Sequence, residues 1–335
     1  MTRPTVLLTG AAGVVGQSLQ PVLADCAVIA GVHRLPGDGW ARTLRLNLAE
    51  PHLGLSAEDY AALADEVDVV VHSAALTEWG KSPDRYEAVN VLGTRRVLEL
   101  AQAASAPIHF ISTCFVHALR PEAPFQLRPD NVVLPYITSK LAAERLLQAS
   151  GHPLTTYRPT NLVGDSITGA SSAPQIVQTM SELIARGRAP YFPVHSGNLI
   201  DVAPQDVLAQ CVRAGVLGAD LGPEVWVTYG QEAMRPEETV AICLEHARVS
   251  GRTVKPVAVA DPTDLPMPLH AVPPLVRAYV KVLLDVSETV AACGGVLPSS
   301  LSRLHEVHGI QVPDDRLAYQ RSLDYWAGQA RAEAG

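Results

Sequence analysis

The sequence has little of what marks secreted, membrane or nucleic-acid-binding proteins. Its five cysteines are scattered among 335 residues without a C-x-x-C pair, which predicts free thiols and no metal site. No apolar run has the length of a membrane span, and with a net charge of −8 there is no basic block for nucleic acid. Because the first apolar run begins near residue 5, we expect no signal peptide and a cytoplasmic protein.

A glycine-rich turn near the N-terminus organises what is present. The apolar run 6–8 predicts a buried strand, and the segment 17–23 predicts a helix. The glycines between them follow G-x-x-G-x-x-G spacing rather than G-x-G-x-x-G. A strand, a glycine turn and a helix N-terminus in this order can hold the diphosphate of a dinucleotide; the alternative is a turn without a ligand. The residues predicted to contact the diphosphate are Thr9, Gly10, Gly13, Val14, Val15 and Gly16.

Strand and helix patterns then alternate to about residue 113. Further strands are predicted at 27–32, 44–48, 67–72 and 108–113, and helices at 57–66 and 84–104. This alternation predicts an α/β fold with a Rossmann-type, doubly wound parallel sheet, which binds ligands at the carboxyl ends of its strands. We expect an NADP-binding Rossmann domain over 1–165 that includes the catalytic residues. A smaller C-terminal substrate-binding lobe is expected over 166–335, interleaved with the first and ending in a helical tail.

The end of the second predicted strand indicates which dinucleotide is bound. His33 and Arg34 stand there in place of the acidic residue that would bind ribose hydroxyls. A guanidinium can bind a 2′-phosphate, so we expect NADP(H), with Arg42 as a second candidate. The alternative is that both arginines are solvated surface charges. Further cofactor contacts are predicted at other strand ends, namely Asn47, Leu48, Ala74 and Ala75.

A tyrosine and a lysine in the next predicted helix are candidates for acid–base chemistry. Tyr136 and Lys140 are four residues apart and therefore share one helical face. A nearby ammonium lowers the pKa of a phenol, which would let Tyr136 exchange a proton with a substrate oxygen near neutral pH. Thr113, at the end of the preceding predicted strand, can donate a second hydrogen bond to that oxygen.

With these motifs the chain resembles an extended short-chain dehydrogenase/reductase. The matching motifs are Thr9-Gly10-x-x-Gly13-x-x-Gly16, His72-x-Ala74-Ala75, Asn90-Val91-x-Gly93-Thr94, Ser112-Thr113, Tyr136-x-x-x-Lys140 and Arg158-Pro159-x-Asn161-x-x-Gly164. The resemblance implies that Thr113, Tyr136 and Lys140 are catalytic, with Tyr136 as the acid or base. It also implies that Lys140 binds the nicotinamide ribose and that Asn90 helps to hold a proton-relay water. The residues that it places along the nicotinamide are Pro159, Thr160 and Leu162.

Within that superfamily the chain is similar to thioester-reductase-like domains, which are related to fatty acyl-CoA reductases. The similarity lies in the segments 46–55, 67–94, 157–169 and 201–206. It implies NADPH-dependent reduction of an acyl thioester, bound to a carrier protein or coenzyme A, to an aldehyde and in some cases an alcohol. Asn47 stands where these domains usually have Asp, and His117 where they have an aromatic residue. Because the sequence begins at the nucleotide turn, a free aldehyde or ketone stays open as the substrate.

The second half is expected to cover the cofactor and to form a substrate cleft. The residues predicted to line this cleft are Leu76, Trp79, Cys114, Thr168, Tyr191 and Phe192. The proline-rich segment 261–274 is interpreted as a linker or lid, and the tail from Pro274 as a cap, a carrier-protein contact or a homodimer interface.

Two other functions stay open for this fold. One is an NAD(P)-dependent sugar-nucleotide epimerase, dehydratase or hydroxysteroid-type dehydrogenase, and the other is a nucleotide sensor without catalytic activity.

Overall fold

A seven-stranded parallel sheet forms the centre of the molecule. The computed structural model describes residues 3–34 and 36–332, and their strands are numbered in chain order. The strands are β1 (Thr5–Thr9), β2 (Ala27–Val32), β3 (Thr43–Arg45), β4 (Val69–His72), β5 (Ile108–Ile111), β6 (Leu154–Pro159), β7 (Asn161–Val163), β8 (Phe192–Pro193), β9 (Val202–Pro204), β10 (Glu224–Val227) and β11 (Val259–Ala260). Across the main sheet the order is β10-β6-β5-β4-β1-β2-β3, and every neighbouring pair is parallel.

Helices cover both faces of this sheet and form the second half of the chain. They are α1 (Val14–Leu19), α2 (Ala57–Glu66), α3 (Pro83–Tyr86), α4 (Leu92–Ala104), α5 (Leu134–Ala149), α6 (Ile176–Ala185), α7 (Gln205–Val216), α8 (Pro236–Val249), α9 (Pro274–Ala292), α10 (Leu301–His308) and α11 (Asp315–Ala332).

The alternation of side chains along each strand explains the two layers of helices. In β1, Val6 and Leu8 point to the core formed with α1, α7 and α10, whereas Leu7 points to the core formed with α2, α4 and α5. Both faces are buried, which is why the strand is a continuous apolar run. The predicted doubly wound parallel sheet is confirmed.

The second half of the chain is divided between the sheet and a separate core. Strand β10 and helices α7 and α10 return to the main sheet. Helices α6, α8, α9 and α11 enclose another apolar core, which includes Leu183, Val240, Val280 and Leu323. The chain therefore crosses between the two parts several times after residue 165.

Several elements differ from the sequence-based expectations. The predicted helix over 84–104 is divided into α3, a π-helical turn at Glu87–Val91, and α4. Helix α10 was not predicted. A π turn holds one extra residue, so helical periodicity alone does not reveal it.

A buried histidine connects three helices of the second core. His246 in α8 bonds through Nδ1 to Asp324 Oδ1 of α11 at 2.7 Å, and Nε2 lies 3.4 Å from Glu182 Oε1 of α6. Burial lowers the pKa of His246, but the bonds to Glu182 and Asp324 outweigh burial and leave this pKa above its ordinary value. The Glu182 pKa is lowered to about 2, mainly by the bond from His246.

These shifts predict a pH-dependent stability. A histidine whose pKa is raised by folding stabilises the protein fully below about pH 6.5, and this stabilisation is lost as the pH rises through the folded-state pKa. We expect His246→Gln to remove a contribution on the order of 1 kcal/mol at pH 6 and much less at pH 9. Urea unfolding at both pH values measures this difference. His270→Gln, at an exposed histidine, is the control, and an equal loss for His246→Gln at both pH values would contradict the assignment.

Candidate active site

The carboxyl ends of the parallel strands bring the predicted site residues to one edge of the sheet. Thr9 of β1 is in register with Gly31 of β2 and with His72 of β4. The residues that follow these strands therefore surround the glycine turn. Ile111 of β5 pairs with Tyr157 of β6, which places Thr113 and Pro159 at the same edge.

The glycine turn has the shape that close approach of a diphosphate requires. Gly10 has φ +74°, and a Cβ added there would lie 2.7 Å from the backbone nitrogen of Ala74. A Cβ on Gly16 would overlap the carbonyl oxygen of Gly10, so α1 could not pack against the turn. Gly13 is exposed and precedes α1, whose first-turn amides lack partners within the helix. The turn therefore fits a dinucleotide diphosphate.

The Thr9 side chain forms hydrogen bonds within the protein. It is buried, accepts a hydrogen bond from Ala74 N at 3.2 Å, and bonds to His72 Nδ1 at 2.7 Å. These bonds hold Ala74 against the glycine turn, and a direct contact between Thr9 and the cofactor stays a prediction.

The two arginines predicted to bind the 2′-phosphate lie at opposite ends of their strands. Arg34 is exposed directly after β2, whereas the carbonyl of Arg42 accepts a hydrogen bond from Ala30 N, before the end of β2. The Arg42 guanidinium forms a two-pronged ion pair with Glu66, with Nη2–Oε2 at 2.9 Å. Arg45 pairs with Val32 and lies at the carboxyl end. The register thus places Arg45, rather than Arg42, near Arg34 at the end of β2, a position that depends on where β3 begins.

The loop after β3 is fixed by its own contacts. Asn47 Oδ1 accepts a hydrogen bond from Ala49 N at 3.1 Å, and the Leu48 carbonyl accepts one from Arg96 at 2.7 Å. The Leu48 side chain packs on the core around α2 and α4. These contacts hold the loop beside the sheet edge where an adenine is expected.

The candidate catalytic side chains are buried together beyond β5. Tyr136 and Lys140 lie one turn apart in α5 and are 8% and 3% exposed. Lys140 Nζ donates to the Ile111 carbonyl at 2.6 Å and lies 4.1 Å from the centroid of the Phe110 ring. Thr113 precedes a short 3₁₀ segment, and its Oγ1 accepts a hydrogen bond from Phe115 N at 3.4 Å.

Burial dominates the acid–base properties of this group. Burial raises the pKa of Tyr136 well above its ordinary value, and the nearby Thr113 side chain opposes this shift only in part. Burial also lowers the pKa of Lys140 to about 7. The prediction that Lys140 lowers the pKa of Tyr136 is therefore wrong for this structure, because the Lys140 ammonium is directed to the Ile111 carbonyl instead.

The Asn90 side chain forms hydrogen bonds with both the loop after β4 and helix α5. Its Nδ2 donates to the Leu76 carbonyl at 3.1 Å and to Ser139 Oγ at 2.9 Å, and its Oδ1 accepts from Leu76 N at 2.7 Å. Ser139 Oγ donates in turn to the Tyr136 carbonyl at 2.6 Å. These contacts give Asn90 a positioning role between the loop after β4 and α5, and its role in holding a relay water stays a prediction.

An apolar cleft opens beside the catalytic group and holds about 740 Å³ of empty space, including its mouth. Of the predicted substrate residues, Trp79 and Phe192 line it. Leu76 and Cys114 pack beside Tyr136 in the adjoining core, and Leu162 packs against the sheet.

Two predicted cleft residues lie elsewhere. Tyr191 is enclosed in the second core, and Thr168 is exposed and bonded to Asp165. Much of the lining comes instead from α6 and α9. The apolar periodicity of α9 showed that one face is buried but not which partner it meets.

Helix α9 also holds the segment that leads into the catalytic helix. Asp285 is fully buried and accepts hydrogen bonds from Arg128 Nη2 at 2.8 Å, Lys281 Nζ at 2.6 Å and Val132 N at 3.0 Å. Glu288 accepts further bonds from Arg128 and from Asn131 Nδ2, the latter at 2.7 Å. This cluster fixes residues 128–132, directly before α5.

We expect the removal of Asp285 to destabilise the fold strongly. Asp285→Ala leaves the Val132 amide without its partner and removes one ion-pair partner each from Arg128 and Lys281, which should lower the free energy of unfolding by about 2 kcal/mol or more. Asp130→Ala removes an exposed carboxylate whose ion pair is with Lys281, and because exposed pairs are screened by water it should cost much less than Asp285→Ala. Urea unfolding of the two variants checks this, and equal losses would show that the cluster is not a main support of the segment.

Within residues 3–34 and 36–332, no group of three or more His, Cys, Asp and Glu side chains could hold a metal ion. In the same part of the chain, no helix is long and apolar enough to cross a membrane.

The sequence model of the family described as Male sterility protein matches residues 42–212 of the chain. The chain belongs to this family, and it is an extended short-chain dehydrogenase/reductase of the thioester-reductase-like type, as its motifs predicted.

Curated relatives of the chain are much larger proteins. Trichosetin synthetase PKS-NRPS1 of Gibberella fujikuroi is 30% identical over 260 residues, which are 70% of this chain and 6% of that protein. Isonitrile lipopeptide synthase of Streptomyces coeruleorubidus is 33% identical over 202 residues, which are 50% of this chain and 14% of that protein. The chain thus spans a small fraction of the length of these relatives.

Solved structures share the fold along almost the whole chain. The terminal R domain from the myxalamid PKS-NRPS biosynthetic pathway has a TM-score of 0.72 at 23% identity, covering 99% of this chain and 92% of that one. RMD from Pseudomonas aeruginosa, complexed with NADPH, has a TM-score of 0.59 at 21% identity, covering 98% of both chains. WbmH of Bordetella bronchiseptica, in complex with NAD+, has a TM-score of 0.65 at 17% identity, covering 98% and 99%.

Proposed function

We propose that this protein reduces an acyl thioester with NADPH, releasing an aldehyde and a thiol. The observation that carries the proposal is that Tyr136 is buried in a core that shares Trp79, Val286 and Val290 with the apolar cleft, while Thr113 is buried at the sheet edge that carries the glycine turn. The relatives are a synthetase and a synthase, which supports a thioester delivered on a carrier protein or on coenzyme A.

Tyr136 suits the role of general acid in this direction of the reaction. Its phenol is protonated at neutral pH, so it can donate a hydrogen bond to the carbonyl oxygen and then a proton to the strongly basic oxygen anion that hydride addition produces. Thr113 would donate a second hydrogen bond to the same oxygen. The nicotinamide cofactor would supply the hydride. Cleavage of the carbon–sulfur bond then gives aldehyde and thiol, and a second reduction of the aldehyde would give an alcohol.

A covalent acyl-cysteine intermediate does not fit this site. Cys114 adjoins Thr113 and is completely buried. Burial raises the pKa of its thiol well above the ordinary value, and the coupling to Cys293 raises it further. Because the thiolate is the nucleophilic form, Cys114 is a packing residue and the thioester is reduced directly.

The residues at the glycine turn fit a nicotinamide dinucleotide, and the end of β2 favours the 2′-phosphorylated form. The adenosine ribose is expected beyond β2, where Arg34 and Arg45 are both exposed. Two guanidinium groups at this position favour a phosphate over a neutral ribose hydroxyl. The fold itself accommodates either cofactor, since similar structures hold NADPH and NAD+.

The cleft argues against a sugar-nucleotide substrate. Its lining is mainly aliphatic, and a sugar placed in it would lose water from several hydroxyl groups without finding partners. An assay of NADPH consumption with acyl-CoA thioesters, aldehydes, ketones and nucleotide sugars separates these functions. Conversion of a nucleotide sugar, with no consumption of NADPH by any thioester or aldehyde, would contradict the proposal.

The role of Tyr136 can be tested by a substitution that removes only its phenol oxygen. Tyr136→Phe should lower kcat for thioester reduction by at least about 100-fold, because general acid catalysis typically contributes that much or more. The Kd for NADPH should change less than threefold. Tyr157→Phe removes a buried phenol that bonds to His109 instead, and it serves as the matched control. If both variants retain turnover, Tyr136 is not the acid.

The cofactor preference can be tested at the two strand ends. Arg34→Ala should weaken NADPH binding about tenfold or more, because charge-assisted hydrogen bonds to a phosphate are lost, while the Kd for NADH stays within about twofold. Arg45→Ala should act in the same direction. Arg42→Ala, which only breaks the exposed pair with Glu66, should affect neither cofactor. Titration of the intrinsic protein fluorescence with each cofactor gives the Kd values of the unmodified protein and of the three variants. Equal losses of NADPH and NADH affinity in Arg34→Ala would overturn the assignment.

A further inference from the structure

The apolar cleft is lined by helices of the second core and adjoins the core that contains Tyr136. One wall is α6, which contributes Val177, Met180 and Ile184, and another is α9, which contributes Leu283, Val286 and Val290. Val286 and Val290 also pack against the core that contains Tyr136, as does Trp79 at the cleft. A thioester carbonyl at Tyr136 would therefore have its acyl chain directed along α9.

The polar side chains in the cleft lining are largely occupied by the protein itself. Ser181 bonds to Tyr319 and donates to the Val177 carbonyl at 2.6 Å. Asn198 Nδ2 donates to the Ser287 carbonyl at 2.8 Å, and the Ser287 hydroxyl bonds to His195 Nδ1 at 2.8 Å. Among the described residues, Asn198 Oδ1 is a buried acceptor in this lining that has no hydrogen-bond partner.

We propose that the cleft selects an aliphatic acyl chain and rejects a peptidyl chain. The proposal rests on the thioester reductase function and names the class of its substrate. An aliphatic chain loses no hydrogen bonds when it enters and gains from the burial of apolar surface. A peptidyl chain brings an N–H and a carbonyl with every residue, and each polar group buried without a partner costs about 1–3 kcal/mol. The free acceptor of Asn198 and the Asn161 side chain, which also lines the cleft, can pair with only a few polar groups of a substrate, such as one hydroxyl or one amide.

The direct test compares two coenzyme A thioesters of similar length, dodecanoyl-CoA and N-acetyl-trialanyl-CoA. We expect kcat/KM for the dodecanoyl substrate to be at least about 100-fold higher, since two unpaired amide groups alone account for that ratio. A ratio near one, or a preference for the peptidyl substrate, would overturn the proposal. If neither thioester consumes NADPH, the reductase function is wrong.

Binding separates the cleft from the chemistry. Calorimetric titration of the protein with dodecanoic acid and with N-acetyl-trialanine should show binding of the fatty acid alone, whether or not reduction occurs. Equal or absent binding of both would contradict the selection of aliphatic chains.

A variant of the cleft tests where the acyl chain of the substrate lies. Met180→Trp narrows the cleft and should lower kcat/KM for dodecanoyl-CoA at least tenfold more than for butyryl-CoA. Val249→Trp places the same side chain on the exposed face of α8, where Val249 is 57% exposed, and should leave the ratio unchanged. An unchanged ratio in folded Met180→Trp would show that the acyl chain lies elsewhere, and in that case the binding comparison tests the selectivity.

Discussion

The candidate site depends on a buried chain of hydrogen bonds that joins the glycine turn to α5, the helix that carries Tyr136. It runs from Thr9 to His72 at 2.7 Å, from His72 to Thr94 at 3.0 Å, and from Thr94 to the Asn90 carbonyl at 2.6 Å. Burial, with a smaller effect from Lys140, lowers the pKa of His72 to about 3, so the ring is neutral and each ring nitrogen has one fixed partner. The Asn90 side chain then reaches α5 through Ser139. Two parts of the site that lie on different strands are thereby held in one arrangement.

The layout of strands and strand ends follows from the sequence because it depends on local patterns. Val6, Leu7 and Leu8 form an apolar run bounded by glycine, and such runs predict strands whose carboxyl ends meet at one edge. The roles of Thr9 and Asn90 were beyond that reasoning, since each depends on a partner 14 or more residues away. The sequence pattern did not single out Arg45 either, because its position at the strand end depends on the register of β3 with its neighbour β2.

Most of the lining of the apolar cleft could not be predicted from the sequence pattern. Helix α9 has an aliphatic face at Val286 and Val290 and a polar face at Asp285 and Glu288. The periodicity marks two faces, but only the fold shows that one lines the cleft and the other holds the segment before α5. One helix thus links the space for the acyl chain to the helix that carries Tyr136, which explains why the tail of the chain belongs to the site.

The central claim is that hydride transfer at this site breaks a thioester. The most direct measurement follows NADPH absorbance and released thiol together, in a single turnover with dodecanoyl-CoA. We predict that one equivalent of coenzyme A thiol appears for the first NADPH consumed, together with dodecanal. Consumption of NADPH by a free ketone or a nucleotide sugar, with no thiol released from the thioester, would contradict the account.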